Sequence, residues 1–303
     1  MPGKPWSAFA PLINFTSASK APIEIWPDVR LRLLTAEEMG GSDPHGLYRL
    51  LSSQTTELIS GLPQSWAVVG DFDQPWDATV LQIQGVHERF DRVVDALHLL
   101  HDELVEYPFV MAGEGRPPIY SQGTRGAPFP PIQAWNRAYN HPYVFSGVDV
   151  NPLKELAILL DTRFKSEPEG ATTVAVGRVN ATHLRSSEAD RIIDSAIALE
   201  AILLKGSDDE LSYRQALRGV HLLGGSESTR FASFSLLKKA YARRSKIVHG
   251  MRDPGTPSTE AIVSITRRIV QAFVFETRTA THDELIERLD ESAVRGSVSK
   301  DGV

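Results

Sequence analysis

The sequence contains no cysteine among its 303 residues. That absence excludes disulfides, zinc–thiolate centres and cysteine nucleophiles together. Long apolar runs are missing as well. No stretch approaches about 18 consecutive apolar residues, so no transmembrane helix is expected. The opening MPGKPWSAFAPLINF carries one lysine and no continuous apolar core, so it does not read as a signal peptide, and a cytoplasmic location is expected. An excess of positive charge is also lacking: 32 Lys and Arg stand against 38 Asp and Glu, for a net charge of -6. Proteins that coat nucleic acid are usually basic, so contact with RNA would require a local patch. The glycine-bearing stretch GEGRPPIYSQGTRGAPFPP holds no G-K-[ST], and no phosphate-binding P-loop is read in it.

What is present is unevenly distributed. All five tryptophans (Trp6, Trp26, Trp66, Trp76, Trp135) precede residue 136. Fifteen of the nineteen prolines precede residue 151. Proline and glycine cut the first half into short elements, while the second half can support long helices. These signals predict a mainly α protein with a Pro/Trp-rich, mixed α/β region over residues 1–148. A helical bundle is expected over 149–292 and a flexible tail over 293–303, with the boundary near 146–152. In the first region WAVVGDF and TVLQIQ read as short strands. Val86, Phe90, Val93, Leu97, Leu100 and Leu104 recur at steps of three and four, which predicts a helix over 84–105. A long loop is expected over 113–131. On the other side of that helix stand Asp91, Asp95, His98 and Asp102. The spacing lets His and Asp share an ion; the simpler reading is a solvated acidic face. No metal or cofactor is expected.

The second half predicts helix after helix. NPLKELAILLDTRFK carries Leu153, Leu156, Leu160 and Phe164 on one side. Ser187 and Asp190 form an N-terminal capping signature ahead of RIIDSAIALEAILL, and Gly206 can end that helix. Thr281 and Glu284 repeat the signature near the end of the chain. ATTVAVGRVNATHL has strand-forming residues but lies between helices, and is assigned helix on that context.

One dense basic cluster stands out. Five of the nine residues 238–246 are cationic: Lys238, Lys239, Arg243, Arg244 and Lys246. His249 and Gly250 follow. Lys239, Arg243 and Lys246 fall on one helical face, and Arg244 lies closer to Ala240 and Ile247. Helix-end chemistry explains part of this, since each cation near a C-terminus gains about 0.3–1 kcal/mol from the macrodipole. A glycine just beyond the helix is a common stop.

Three blocks carry a resemblance. RIIDSAIALEAILL, ELSYRQALRGVHLLG and LLKKAYARRSKIVHG, in that order, resemble the conserved blocks of the Apea-like HEPN domains over roughly residues 150–290. The resemblance implies a helical bundle, a two-fold homodimer and a metal-independent endoribonuclease, in a defence or toxin-like effector. RNA-cutting HEPN domains carry an Arg followed after a few residues by His, which here falls on Arg244 and His249. A histidine suits proton transfer near neutrality. A guanidinium suits the charge that builds on the phosphorane. Nuclease members often place Asn, Asp or His after the Arg; this chain has Ser245, a supporting group that donates or accepts hydrogen bonds. Glu200 lies in an apolar helix stretch and needs a partner, for which Arg244 and Arg214 are the candidates. Lys239, Arg243 and Lys246 would bind the RNA backbone; DNA is not an expected substrate, nor a membrane an expected partner. The alternative is a non-catalytic RNA- or nucleotide-binding or scaffold module of the same family.

Overall fold

Trp6–Pro11 (β1) alternates almost nothing: five of its six residues are buried, as a strand flanked on both edges and packed on both faces requires. In the computed structural model, which describes residues 6–35, 66–73, 79–107, 109–113, 119–122, 141–207 and 209–295, β1 pairs antiparallel with two neighbours. The other described strands are β2 (Phe15–Ser17), β3 (Ile23–Trp26), β4 (Val29–Leu33), β5 (Trp66–Phe72), β6 (Phe109–Gly113), β7 (Ile119–Gln122) and β8 (Tyr143–Phe145). Six of them form an antiparallel sheet in the order β3-β4-β5-β1-β6-β7. β2 and β8 form a separate parallel pair. Phe15 joins the rings of Trp66, Tyr143 and Phe145, with centroids 5.5–5.7 Å apart.

The eight described helices are α1 (Val80–Leu100), α2 (Val150–Ser166), α3 (Ala171–Leu184), α4 (Glu188–Leu203), α5 (Leu211–Leu223), α6 (Glu227–Val248), α7 (Thr259–Glu276) and α8 (His282–Arg295). The protein is mainly α, with its sheet confined to the N-terminal part. The chain forms two compact units, residues 1–97 with 103–158, and residues 98–102 with 159–303. The division falls inside α2, beyond the 146–152 read from composition.

Several local expectations change. TVLQIQ is not a strand: its Val80–Gln84 portion is the first turn of α1, which runs 80–100 instead of 84–105. The stretch 113–131, expected to be a loop, contains strand β7; its residues 114–118 and 123–131 lie outside the described residues. Residues 293–295, assigned to a tail, complete α8; 296–303 lie outside the described residues. The face of α1 expected to be solvated is so at Asp102 but not at Asp95 and His98. Asp95 is 3% exposed and ion-paired with Arg92, and His98 is fully buried with Nδ1 3.0 Å from Asn180 Oδ1. WAVVGDF is strand β5, and ATTVAVGRVNATHL is helix α3.

In the second unit α4 is the central element. It is buried nearly all round, through Ile192, Ala196, Ala198, Leu199, Ile202 and Leu203, and packs against α3, α5, α6 and α7. A helix buried on nearly every side belongs in the middle of a bundle, and its buried polar residues, Arg191, Asp194 and Ser195, are all hydrogen-bonded. Ser187 caps it by accepting from the Asp190 amide at 3.3 Å. α5 approaches its neighbours closely because it has no side chain at Gly219. A Cβ there would sit 3.0 Å from Leu237, 3.2 Å from Ile269 and 3.5 Å from Leu203. At α8 the Thr281 and Glu284 box closes in both directions.

Three arginines fasten this bundle from inside. Arg218 on α5 holds Asp290 of α8 through two 2.7 Å bonds and donates to Ser207 and the Leu203 carbonyl. Arg267 on α7 donates to Asp102 and to the carbonyls of Leu99 and Leu100, at the C-terminal end of α1. The third, Arg243, belongs to the cluster singled out above.

Candidate functional site

α6 begins at Ser226, whose hydroxyl accepts from the Thr229 amide at 3.3 Å, and ends at His249. Its last turn closes by two backbone bonds. The Gly250 amide donates to the Ile247 carbonyl at 3.0 Å and the Met251 amide to the Lys246 carbonyl at 2.9 Å. This pattern requires a left-handed residue between them, and Gly250 has φ +68°. Helix-end geometry therefore accounts for the glycine. It does not account for His249, whose side chain is exposed and caps nothing.

The tandem arginines have opposite fates. Arg243 is 2% exposed. Its guanidinium donates to Asp253 twice, at 2.6 and 2.7 Å, to the Pro257 carbonyl at 2.6 Å, to Thr259 Oγ1 at 3.3 Å and to Glu188 at 3.3 Å. Thr259 in turn donates to Glu188 at 2.7 Å. One side chain thus ties α6 to the 253–257 connection and to the starts of α4 and α7. The expectation that Arg243 lies on an RNA-facing surface is corrected: it faces inward with Leu237 and Ala240, the other buried residues of α6, where a charged group persists only with its donors occupied. Lys239 and Lys246 are exposed.

Arg244 lies apart from that network. Its side chain is 26% exposed and pairs with Glu200 of α4 at 3.3 Å, the partner that Glu200 required. The Arg244 Nε is buried with no hydrogen-bond partner. A second candidate for Glu200, Arg214, leaves its own Nε without one. Ser245 is half-buried, and its carbonyl accepts from the His249 amide at 3.1 Å. The C-terminal half of α6 therefore offers one half-engaged guanidinium, one exposed imidazole and three exposed ammonium groups, those of Lys238, Lys239 and Lys246.

The Arg243 clamp has a pH signature. Hydrogen bonding to Arg243 holds the Asp253 carboxyl down at about 2, against an ordinary 3.8. Between those values the unfolded chain binds more protons than the folded one, so the stabilisation is complete above about pH 4 and is lost as pH falls to about 2. Thermal unfolding followed from pH 5 to pH 2 should show the midpoint dropping in that window. Asp253→Asn should start lower and drop less.

A cavity of about 560 Å³ lies elsewhere in the same unit, between the start of α8 and the junction of α2 and α3. Its cations are already engaged: Lys205 with Asp283 at 2.7 Å and Arg163 with Glu167 at 2.9 Å. Burial lowers the pKa of its histidine, His282, whose Nε2 is 2.9 Å from the Ile202 carbonyl. Among the described residues no group of three or more His, Asp or Glu is placed to hold a metal ion, and no helix is long and apolar enough to cross a membrane.

Comparisons with protein-family models, with curated proteins and with solved structures found no match to this chain.

Proposed function

We propose that the second unit is a HEPN-type bundle that acts as a metal-independent endoribonuclease, of the kind used by defence or toxin-like effectors. Two copies would place two Arg244 and two His249 side chains in one groove. The observation that carries this reading is the division of labour in the arginine pair. Arg243 has its donors committed inside the fold, whereas Arg244 keeps a quarter of its surface, and His249 stands exposed at the helix end.

The chemistry follows from those two groups. One His249 accepts the proton of a ribose 2′-hydroxyl as its oxygen forms a bond to the adjacent phosphorus. The bond from phosphorus to the 5′-oxygen breaks, and the His249 of the second copy returns a proton to that oxygen. Arg244 faces the non-bridging oxygens, where negative charge grows. The products are a 2′,3′-cyclic phosphate and a 5′-hydroxyl. Ser245 donates a hydrogen bond beside this centre, and Lys239 and Lys246 attract the RNA backbone.

A second reading rests on Glu200. At 3.3 Å it already neutralises Arg244, which suits a binding or scaffold module in which the pair fastens α4 to α6. Purified protein incubated with RNA in EDTA separates the two. The nuclease reading expects cutting that survives EDTA, cyclic phosphate ends and intact DNA, since DNA has no 2′-hydroxyl. Cutting abolished by EDTA, or equal cutting of DNA, would assign the activity to another centre. Light scattering across a concentration series should show a dimer; a strict monomer would leave only the binding module.

A further inference from the structure

The geometry points to a base-stacking platform on the exposed sides of α5 and α6, made by Tyr213, Phe231 and Phe234 with Lys238, that binds unpaired RNA. The proposal rests on the nuclease reading for its ligand and adds the region that holds the strand. Phe231 is 75% exposed and Tyr213 is 47% exposed, both on regular helix. Solvent-facing aromatic rings contribute little to a bundle, because their area stays in water. Tyr213 and Phe234 meet edge to face, with centroids 5.6 Å apart and planes at 79°. Lys238 Nζ stands 6.0 Å from the Tyr213 ring and 5.9 Å from the Phe234 ring, close enough for cation–π attraction to both.

This cluster is aligned with the candidate centre. Phe231, Phe234, Lys238, Ala242, Ser245 and His249 follow one another at steps of three and four, so they form one line along α6. Eighteen residues at about 1.5 Å each separate Phe231 from His249, a span of about 27 Å. Lys239 and Lys246, both exposed, flank the line. Rings that accept the face of any base, beside ammonium groups that follow a phosphate backbone, are what a single strand requires. A paired duplex keeps its bases stacked on one another and offers no face to Phe231.

The test uses fluorescence anisotropy of a single-stranded 2′-O-methyl oligoadenylate, which has no free 2′-hydroxyl and cannot be cut by that chemistry. A duplex of the same length serves as the comparison. Phe231→Ala and Tyr213→Ala should each weaken single-strand binding by about 5- to 150-fold, the range for losing one stacked base. They should leave the salt dependence unchanged. Lys238→Gln should reduce the salt slope by about 0.7. Both alanine variants binding like wild type would overturn the platform, as would equal affinity for the duplex. So would a change of molar mass in the Phe231→Ala variant, which would make this face a contact between copies of the chain. Wild-type protein that binds as expected yet leaves unmodified RNA intact would remove the nuclease reading alone. Wild-type protein that cuts RNA while both alanine variants bind normally would remove the platform alone.

Discussion

Arg243→Ala should lower the unfolding free energy of the second unit by about 3 kcal/mol. Removing one partner of a buried ion pair costs more than the pair contributes, because the other partner is stranded. Here the loss takes the cation from the Asp253 and Glu188 carboxylates and the donor from the Pro257 carbonyl at once, leaving Glu188 only its bond from Thr259 among these contacts. The figure sits at the lower end of the range because Asp253 is 35% and Glu188 66% exposed, so both can turn to water. Arg243→Lys should lose less than alanine but still be destabilised, since one ammonium cannot reproduce the planar fork that grips Asp253 twice. Urea unfolding of the three proteins measures this. A shift below about 1 kcal/mol for Arg243→Ala, the size of an exposed pair, would show that the clamp is not what holds α6.

His249→Ala should behave in the opposite way. Its side chain is exposed and fastens nothing, so the unfolding midpoint should not move. RNA cutting should fall by about 10²–10⁴-fold, the contribution of a positioned acid–base group. Arg244→Lys should also cut poorly, because it keeps the charge and loses the fork. Arg244→Ala has a second consequence: it leaves Glu200, 29% exposed, without its cation. Measuring activity and stability on the same preparations distinguishes the roles. A His249→Ala protein that cuts at the wild-type rate would end the assignment of this residue to the chemistry. A His249→Ala protein that is both inactive and unfolded would move His249 to the fold.

The contrast between these two residues shows what a sequence can convey. Periodicity and capping residues located α2, α4 and the start of α8 well, because an amphipathic helix must display its apolar residues at steps of three and four whatever surrounds it. Ser187, Thr281 and Gly250 marked helix ends for equally local reasons: each satisfies backbone groups within a few residues of itself. Composition likewise separated a strand-bearing N-terminal part from a helical C-terminal one. TVLQIQ was misread because six residues with a β-branched and apolar bias are too few to exclude the first turn of a helix.

The partners of the arginines were another matter. Arg243 and Arg244 are adjacent, equally basic and on one helix, and spacing placed Arg243 with the exposed lysines. Arg243 is told apart from them only when Asp253, Pro257, Thr259 and Glu188 arrive from other parts of the chain. Asp95 and His98 on α1 repeat the lesson, as polar residues on an apparently solvated face that the fold buries. The sequence by itself determined where the capped helices begin, and which residues carry the cationic and acid–base groups. The tertiary structure decided which arginine is consumed by the fold and which retains an exposed surface. Burial of a charge is settled by partners distant in sequence, and no local pattern encodes them.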